Sequence, residues 1–246
     1  MRKKSIISTI LFLAIAFIGC QKNNIQQSKN YENKSDVKIV KREKLKKCTK
    51  TEFYDGIGKE DWRELSIIQV TDKKITATIS QRVLFRSLQN GNYKIQKIVD
   101  LLPYKMNYYY SEESTEFYPS KNGEKYLIYN EYYTNKKNEG VHAKDNKNLK
   151  SILIDFNKDQ VKYLKGNQFE TIKKENGISQ KYLAKTVKTP KKLKKYADKK
   201  GYVIGESVKY KKRTLCIMKK ANEESLLKSK IYELNNGKIK RIFQFN

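Results

Sequence analysis

From Trp62 onward apolar and polar positions alternate with period two over short segments. ELSIIQVT, KITATIS, RVLFRSL and YKIQKIVDL are rich in β-branched and aromatic residues, the pattern of strands with one face inward. Four Asn-Gly pairs punctuate the chain at Asn90-Gly91, Asn122-Gly123, Asn176-Gly177 and Asn236-Gly237. Both central residues of a type I′ turn need positive φ, which Asn-Gly supplies, and the first, second and fourth pairs sit between strand candidates. SILIDFNKDQVKYL predicts a further hairpin turning at Asn157 to Gln160, and GYVIGESVKY followed by RTLCIMKK adds more strands. The expected fold is mainly β: antiparallel hairpins forming a sandwich, a barrel or an open sheet, with one short basic helix. A small β-propeller is the alternative, suggested by YPSKNGEKYLIYN, although the Asn-Gly pairs keep no fixed period.

The helix is TPKKLKKYADKKG. Thr189 is placed to cap it, Pro190 takes the first turn where a missing N–H costs nothing, and Gly201 suits the C-terminal cap. Leu193, Tyr196 and Ala197 share one face by their spacing, so the lysines around them project outward. SQKYLAKTV predicts another turn or two of helix, and a short helix is possible over Val37 to Lys47.

The other end of the chain has a different pattern. Arg2, Lys3 and Lys4 precede an apolar run from Ile6 to Ile18 that would cover roughly 20 Å as a helix, short of the roughly 30 Å hydrocarbon core. The run ends in Phe17-Ile18-Gly19-Cys20 and then turns polar, as an export signal does. That ending resembles the lipobox of bacterial lipoproteins, with Gly19 and Cys20 matching and Phe17 standing where the family prefers leucine. The resemblance covers Met1 to Cys20 alone. It implies cleavage before Cys20, acylation of that cysteine by palmitate-class chains, and anchoring in a membrane outside the cytoplasm. Gln21, where an aspartate would imply retention at the inner membrane, implies the outer membrane, facing the periplasm or the cell surface. Residues 1–19 are thus expected to be a signal peptide, 20–47 a lipidated cysteine and flexible tether, and 48–246 one mostly β domain.

Charge sharpens the functional question. The chain carries a formal net charge of +28, and residues 171–246 alone hold twenty-two bases against six acids. Its bases are 47 Lys and 7 Arg. Base reading and bidentate phosphate recognition favour the planar arginine fork, so specific nucleic-acid binding is not expected. A Lys-, Asn- and Ile-rich composition is also similar to that of lipoproteins of low-G+C bacteria such as spirochaetes.

Two surfaces are candidates for binding. The first is a polyanion-binding patch from Lys191, Lys192, Lys194, Lys195, Lys199 and Lys200, within a basic block that begins at Lys181, extended by Lys209, Lys211, Lys212 and Arg213. Its partners would be anionic lipid headgroups or a glycan. The second is a tyrosine-rich hairpin, with Tyr126, Tyr129, Tyr132 and Tyr133 available to a protein or ligand because tyrosines fall on both faces of a strand.

Signals for catalysis are weak. GIGKEDW lacks the spacing of a phosphate-binding loop, and DFNKDQ lacks the glycine and the glutamate of a calcium loop. With one histidine, His142, and no CxxC, neither a metal nor a cofactor is expected. An envelope polysaccharide hydrolase with a spatial carboxylate pair is the lesser alternative to a non-enzymatic binding protein. Cys48 and Cys216 remain beside Cys20, and outside the cytoplasm they can form one disulfide or stay as two thiols.

Overall fold

The structure, a computed structural model, describes residues 39–56, 65–79, 82–89, 92–101, 104, 109–110, 115–130, 132–134, 140–142, 150–165, 168–223 and 225–245. The expected signal peptide with its lipobox lies outside the described residues. Among those described, the protein is mainly β and every strand pairing is antiparallel.

The period-two segments form the first meander: β2 (Leu65–Val70), β3 (Lys74–Ile79), β4 (Arg82–Gln89) and β5 (Asn92–Asp100), paired in sequence order. A second sheet uses β1 (Ile39–Lys44), β7 (Thr115–Pro119), β8 (Lys125–Asn130), β11 (Lys150–Asp155) and β12 (Gln160–Lys165) in the order β1-β12-β11-β8-β7. The C-terminal meander is β13 (Lys185–Thr186), β14 (Tyr202–Tyr210), β15 (Arg213–Lys220), β16 (Lys230–Asn235) and β17 (Lys238–Gln244). Short strands β6 (Tyr109–Tyr110), β9 (Tyr132–Thr134) and β10 (Gly140–His142) make a small fourth sheet.

The three larger sheets stack, with the first meander in the middle. Ile75, Ala77 and Ile79 of β3 pack with Val208, Leu215 and Ile217 of the C-terminal meander. The second sheet forms its own core from Tyr126, Ile128, Ile152 and Ile154, together with Val99 and Leu101 at the end of β5. Thr76 and Thr78 are also buried, so β3 is covered on both faces, which is why KITATIS alternates isoleucine with threonine and carries no charge beyond its first lysine. Burial of each such aliphatic side chain contributes about 1.5–3 kcal/mol. No sheet closes into a barrel among the described residues.

Helices seal the two outer faces. The α2 helix (Phe169–Glu175) sets Ile172 against Leu127 and Leu153 of the second sheet. The α3 helix (Lys191–Lys200) sets Leu193 and Ala197 against Cys216 and Met218 of the C-terminal meander. The α1 helix (Lys50–Gly56) inserts Phe53 into the core between the first and C-terminal meanders. It starts with a capping box: the Thr49 hydroxyl accepts from Glu52 N at 3.1 Å, and the Glu52 carboxylate accepts from Thr49 N at 2.7 Å.

Several expectations change at this level. One helix was expected and three are present among the described residues, because seven-residue helices such as α1 and α2 are held by packing and caps rather than by a long apolar period. Asn176-Gly177 ends α2 with Gly177 at φ 58° and Ile178 N donating to Lys173 O. Thr189 does not cap α3. Its hydroxyl bonds Ser207 at 2.9 Å, and Pro190 occupies the N-cap without a side-chain hydrogen bond. SQKYLAKTV holds one 3-10 turn, Gln180–Tyr182, before β13. From Ile39 to Lys47 the expected tether and short helix give way to β1 and the entry of Leu45 into the core at 3 % exposure, because the edge of β12 offers backbone partners; the tether before Ile39 lies outside the described residues.

The expected turn chemistry holds at one of the two Asn-Gly hairpin turns that can be compared. Asn122-Gly123 joins β7 to β8 with Gly123 at φ 69° but Asn122 not at positive φ, so it is not a type I′ turn. Asn236 and Gly237, at φ 47° and 72°, close β16–β17 as a type I′ hairpin. Gln89 faces Asn92 across β4–β5, and the Asn90-Gly91 pair between them lies outside the described residues. None of the described helices is long and apolar enough to cross a membrane.

Candidate anion-binding surface

Lysine exposure follows from how α3 docks. Leu193 and Ala197 are fully buried and Tyr196 rests against Tyr232, ring centroids 5.3 Å apart, so Lys191, Lys192, Lys194, Lys195, Lys199 and Lys200 are all exposed. Lys199 and Lys200 stand in the last turn, where the helix dipole favours cations, but Lys191 and Lys192 stand in the first turn, where it disfavours them and no acid is present.

The extension of the patch divides into two kinds of residue. Lys209 and Lys212 are exposed. Arg213 is half-buried and already engaged: it donates to Glu233 at 3.0 Å and to Thr71 O at 3.3 Å, and it lies 5.2 Å from the centre of the Tyr210 ring. It therefore leaves the set of ligand-facing bases and joins the C-terminal meander to the turn before β3. Lys211 pairs with Asp72 at 2.7 and 2.8 Å, and Tyr210 donates to the same carboxylate at 3.2 Å. The Lys211 hydrogen bond holds the Asp72 carboxyl below its ordinary range, and Asp72 in turn raises the Lys211 ammonium. Both groups face water, so solvent screens the pair.

A groove of about 390 Å³ opens where the segment after α2 crosses the C-terminal meander. Ser179 caps the 3-10 turn by accepting from Lys181 N at 3.3 Å. Ala184 N then donates to Ile68 O at 2.8 Å, and β13 pairs with β14 so that Lys185 faces Lys209. Lys181, Tyr182, Lys185, Lys209, Tyr210 and Lys211 line the groove. Lys181 lies 5.1 Å from the centre of the Tyr182 ring and Lys211 lies 5.3 Å from that of Tyr210. Each ring thus steadies an ammonium. Lys181 and Lys185 belong to the basic block of the sequence, but their meeting with Lys209 depends on the β13–β14 register, which a two-residue strand does not announce by any period.

The tyrosine-rich hairpin is a different matter. Tyr126 has 0 % exposure, and its hydroxyl lies 2.7 Å from both Gln69 Oε1 and Thr76 Oγ1. It is a core residue that no partner reaches, because α2 covers the Leu127 face of β8 and the first meander covers the Tyr126 face. Burial drives the Tyr126 hydroxyl pKa well above the ordinary phenol range. The side chains of Tyr129, Tyr132 and Tyr133 lie outside the described residues, as does that of His142, whose backbone pairs with Tyr132 in β10–β9.

Cys48 and Cys216 are not bridged. Along β15, Leu215 and Ile217 face the core shared with the first meander, whereas Cys216 and Met218 face α3. Cys48 packs against the former core, on the other side of the sheet. Burial raises the Cys216 thiol pKa. Asp155 and Asp159, at calcium-loop spacing, serve the β11–β12 turn instead: Asp155 Oδ1 accepts from Asn157 N and Lys158 N, and Asp159 pairs with Lys47 and Lys97.

No protein-family model matches this chain, and no curated protein or solved structure matches it with significance.

Proposed function

We propose that this protein is a non-enzymatic, lipid-anchored envelope protein that binds an anionic surface or polymer through the lysine face of its C-terminal meander. Cys20 carries the acyl chains on this reading, with the domain outside the cytoplasm at the outer membrane. The observation that supports binding is the exposure of all six α3 lysines above an apolar seat of Leu193 and Ala197. Repulsion among them, with two opposing the helix dipole, works against folding stability and favours a partner that supplies negative charge. Acyl chains at one end and a cationic face at the other make two-point attachment, in which each contact raises the effective concentration of the other.

Charge reversal at Lys191, Lys192, Lys194 and Lys195 tests this reading. Binding to a sulfated polysaccharide and to anionic vesicles should weaken, and the salt slope should flatten. Unchanged affinity and slope would remove the proposal. Metabolic acyl labelling that persists in Cys20→Ala would remove the anchoring part.

A further inference from the structure

Lys185 and Lys209 are direct partners in the β13–β14 ladder, and cross-strand partners project from the same face. Both are exposed, and like charges placed opposite each other destabilise a strand pair. The next pair, Thr186 and Val208, carries no charge, and Glu206 lies further along β14 with Oε1 accepting from Thr186 at 3.0 Å. The repulsion is therefore not relieved by the nearest acid of the same sheet. Lys181 adds another ammonium to the same groove over the Tyr182 ring, and Lys211, over the Tyr210 ring, lines it while paired with Asp72, so a ligand there would compete with that carboxylate. The lysines come from two stretches of chain that only the fold brings together.

We infer that the groove between Lys181, Lys185, Lys209 and Lys211 is a discrete binding site for a tetrahedral oxyanion, the phosphate or sulfate group of a larger ligand. Its volume of about 390 Å³ lies within the range of about 300–1,000 Å³ usual for small-molecule sites. A phosphate or sulfate group offers several oxygens to several point-charge donors at once, which suits lysines approaching from two strands and two turns. Lys181 and Lys211 over the rings of Tyr182 and Tyr210 leave those rings as supports for cations, so charge rather than stacking selects the ligand. The inference deepens the proposed anion binding by giving it one localised site apart from the α3 face.

Inorganic pyrophosphate titrated calorimetrically into the full-length chain in non-ionic detergent tests it. Saturable one-site binding is expected, weakened at least about tenfold in Lys185→Gln/Lys209→Gln and changed little in Lys191→Gln/Lys194→Gln/Lys195→Gln. The groove variant should melt no lower than the wild type, because it removes a repulsive pair. Equal losses in the two variants, or no saturable binding, would overturn the site. A sulfated polysaccharide that binds while pyrophosphate does not would leave the lysine face standing and remove the groove; the converse would keep the groove and remove the face. Displacement of pyrophosphate by anionic vesicles would assign the group to a lipid headgroup, and its persistence would assign it to a soluble or polymer-borne ester.

Discussion

Tyr126 of β8 and Thr76 of β3 meet with their oxygens 2.7 Å apart in the stack of sheets, and both side chains are buried. Gln69 donates through Nε2 to Ser120 O at 2.9 Å, which leaves its Oε1 as an acceptor. The single Tyr126 proton thus goes to Gln69, and the Thr76 hydroxyl donates to Tyr126. This relay ties the second sheet to the first meander. Tyr126→Phe is expected to cost about 1–3 kcal/mol, because it strands buried polar atoms without changing packing much. Urea midpoints at constant slope measure it, and an unchanged midpoint would show the relay to be idle.

Gly123 closes the β7–β8 turn at φ 69°, and a Cβ there would stand 2.8 Å from Gln69 Oε1. Gly177 has a similar φ of 58° with open space around it. Alanine at Gly177 should cost only the left-handed backbone penalty of about 1 kcal/mol. Alanine at Gly123 should cost clearly more, since it also pushes into the relay. Comparing the two melting temperatures separates backbone strain from the clash, and equal losses would contradict the close approach.

Leu193 is fully buried beneath α3. Leu193→Ala should remove about 2–5 kcal/mol and loosen the seat that aims the lysines. Trypsin cleavage within Lys191–Lys200 should accelerate in this variant well before global unfolding, as followed by mass spectrometry of native digests.

Asp159 accepts from Lys97 at 2.6 Å and lies 2.7 Å from Lys47. Hydrogen bonds to Lys47 and then Lys97 hold its carboxyl below the ordinary aspartate value in the folded state. Its contribution to stability is therefore present above the unfolded pKa of about 3.9 and is lost as pH falls through the lower folded value. Acid unfolding of Asp159→Asn should show a shallower pH dependence across that window. An identical profile would mean that the pair is not coupled to folding.

Cys216 faces α3 while Cys48 packs on the opposite side of the sheet. In a chain carrying Cys20→Ala, two thiols should react with a disulfide reagent after denaturation, and Cys216 should be protected in the native state. Fewer than two thiols under non-reducing denaturation would reveal a bridge.

Much of the strand content was legible from local pattern. Period-two runs became β2 to β5, Asn236-Gly237 made its type I′ turn, and Gly201 closed α3 at φ 64°. These features depend on backbone preferences of one to a few residues, which the chain carries wherever it lies. The outward lysines of α3 were readable for the same reason, since a helical period sets which residues share a face.

Other features had no such local signature. Ile39 to Lys44 is polar and short, and it becomes a strand only because β12 presents an open edge. Tyr126 lies in a tyrosine-rich stretch with no sign of which ring is covered; its burial depends on α2 and the first meander closing both faces of β8. The groove likewise required the pairing of Lys185 with Lys209 and the crossing of the 3-10 turn. The sequence by itself therefore determined the antiparallel β character, the basic helix and the cationic last third. Tertiary structure alone decided the stacking of the sheets, the separation of the two cysteines and the convergence of four lysines, because each depends on which distant apolar faces bury one another, a sum over the whole chain.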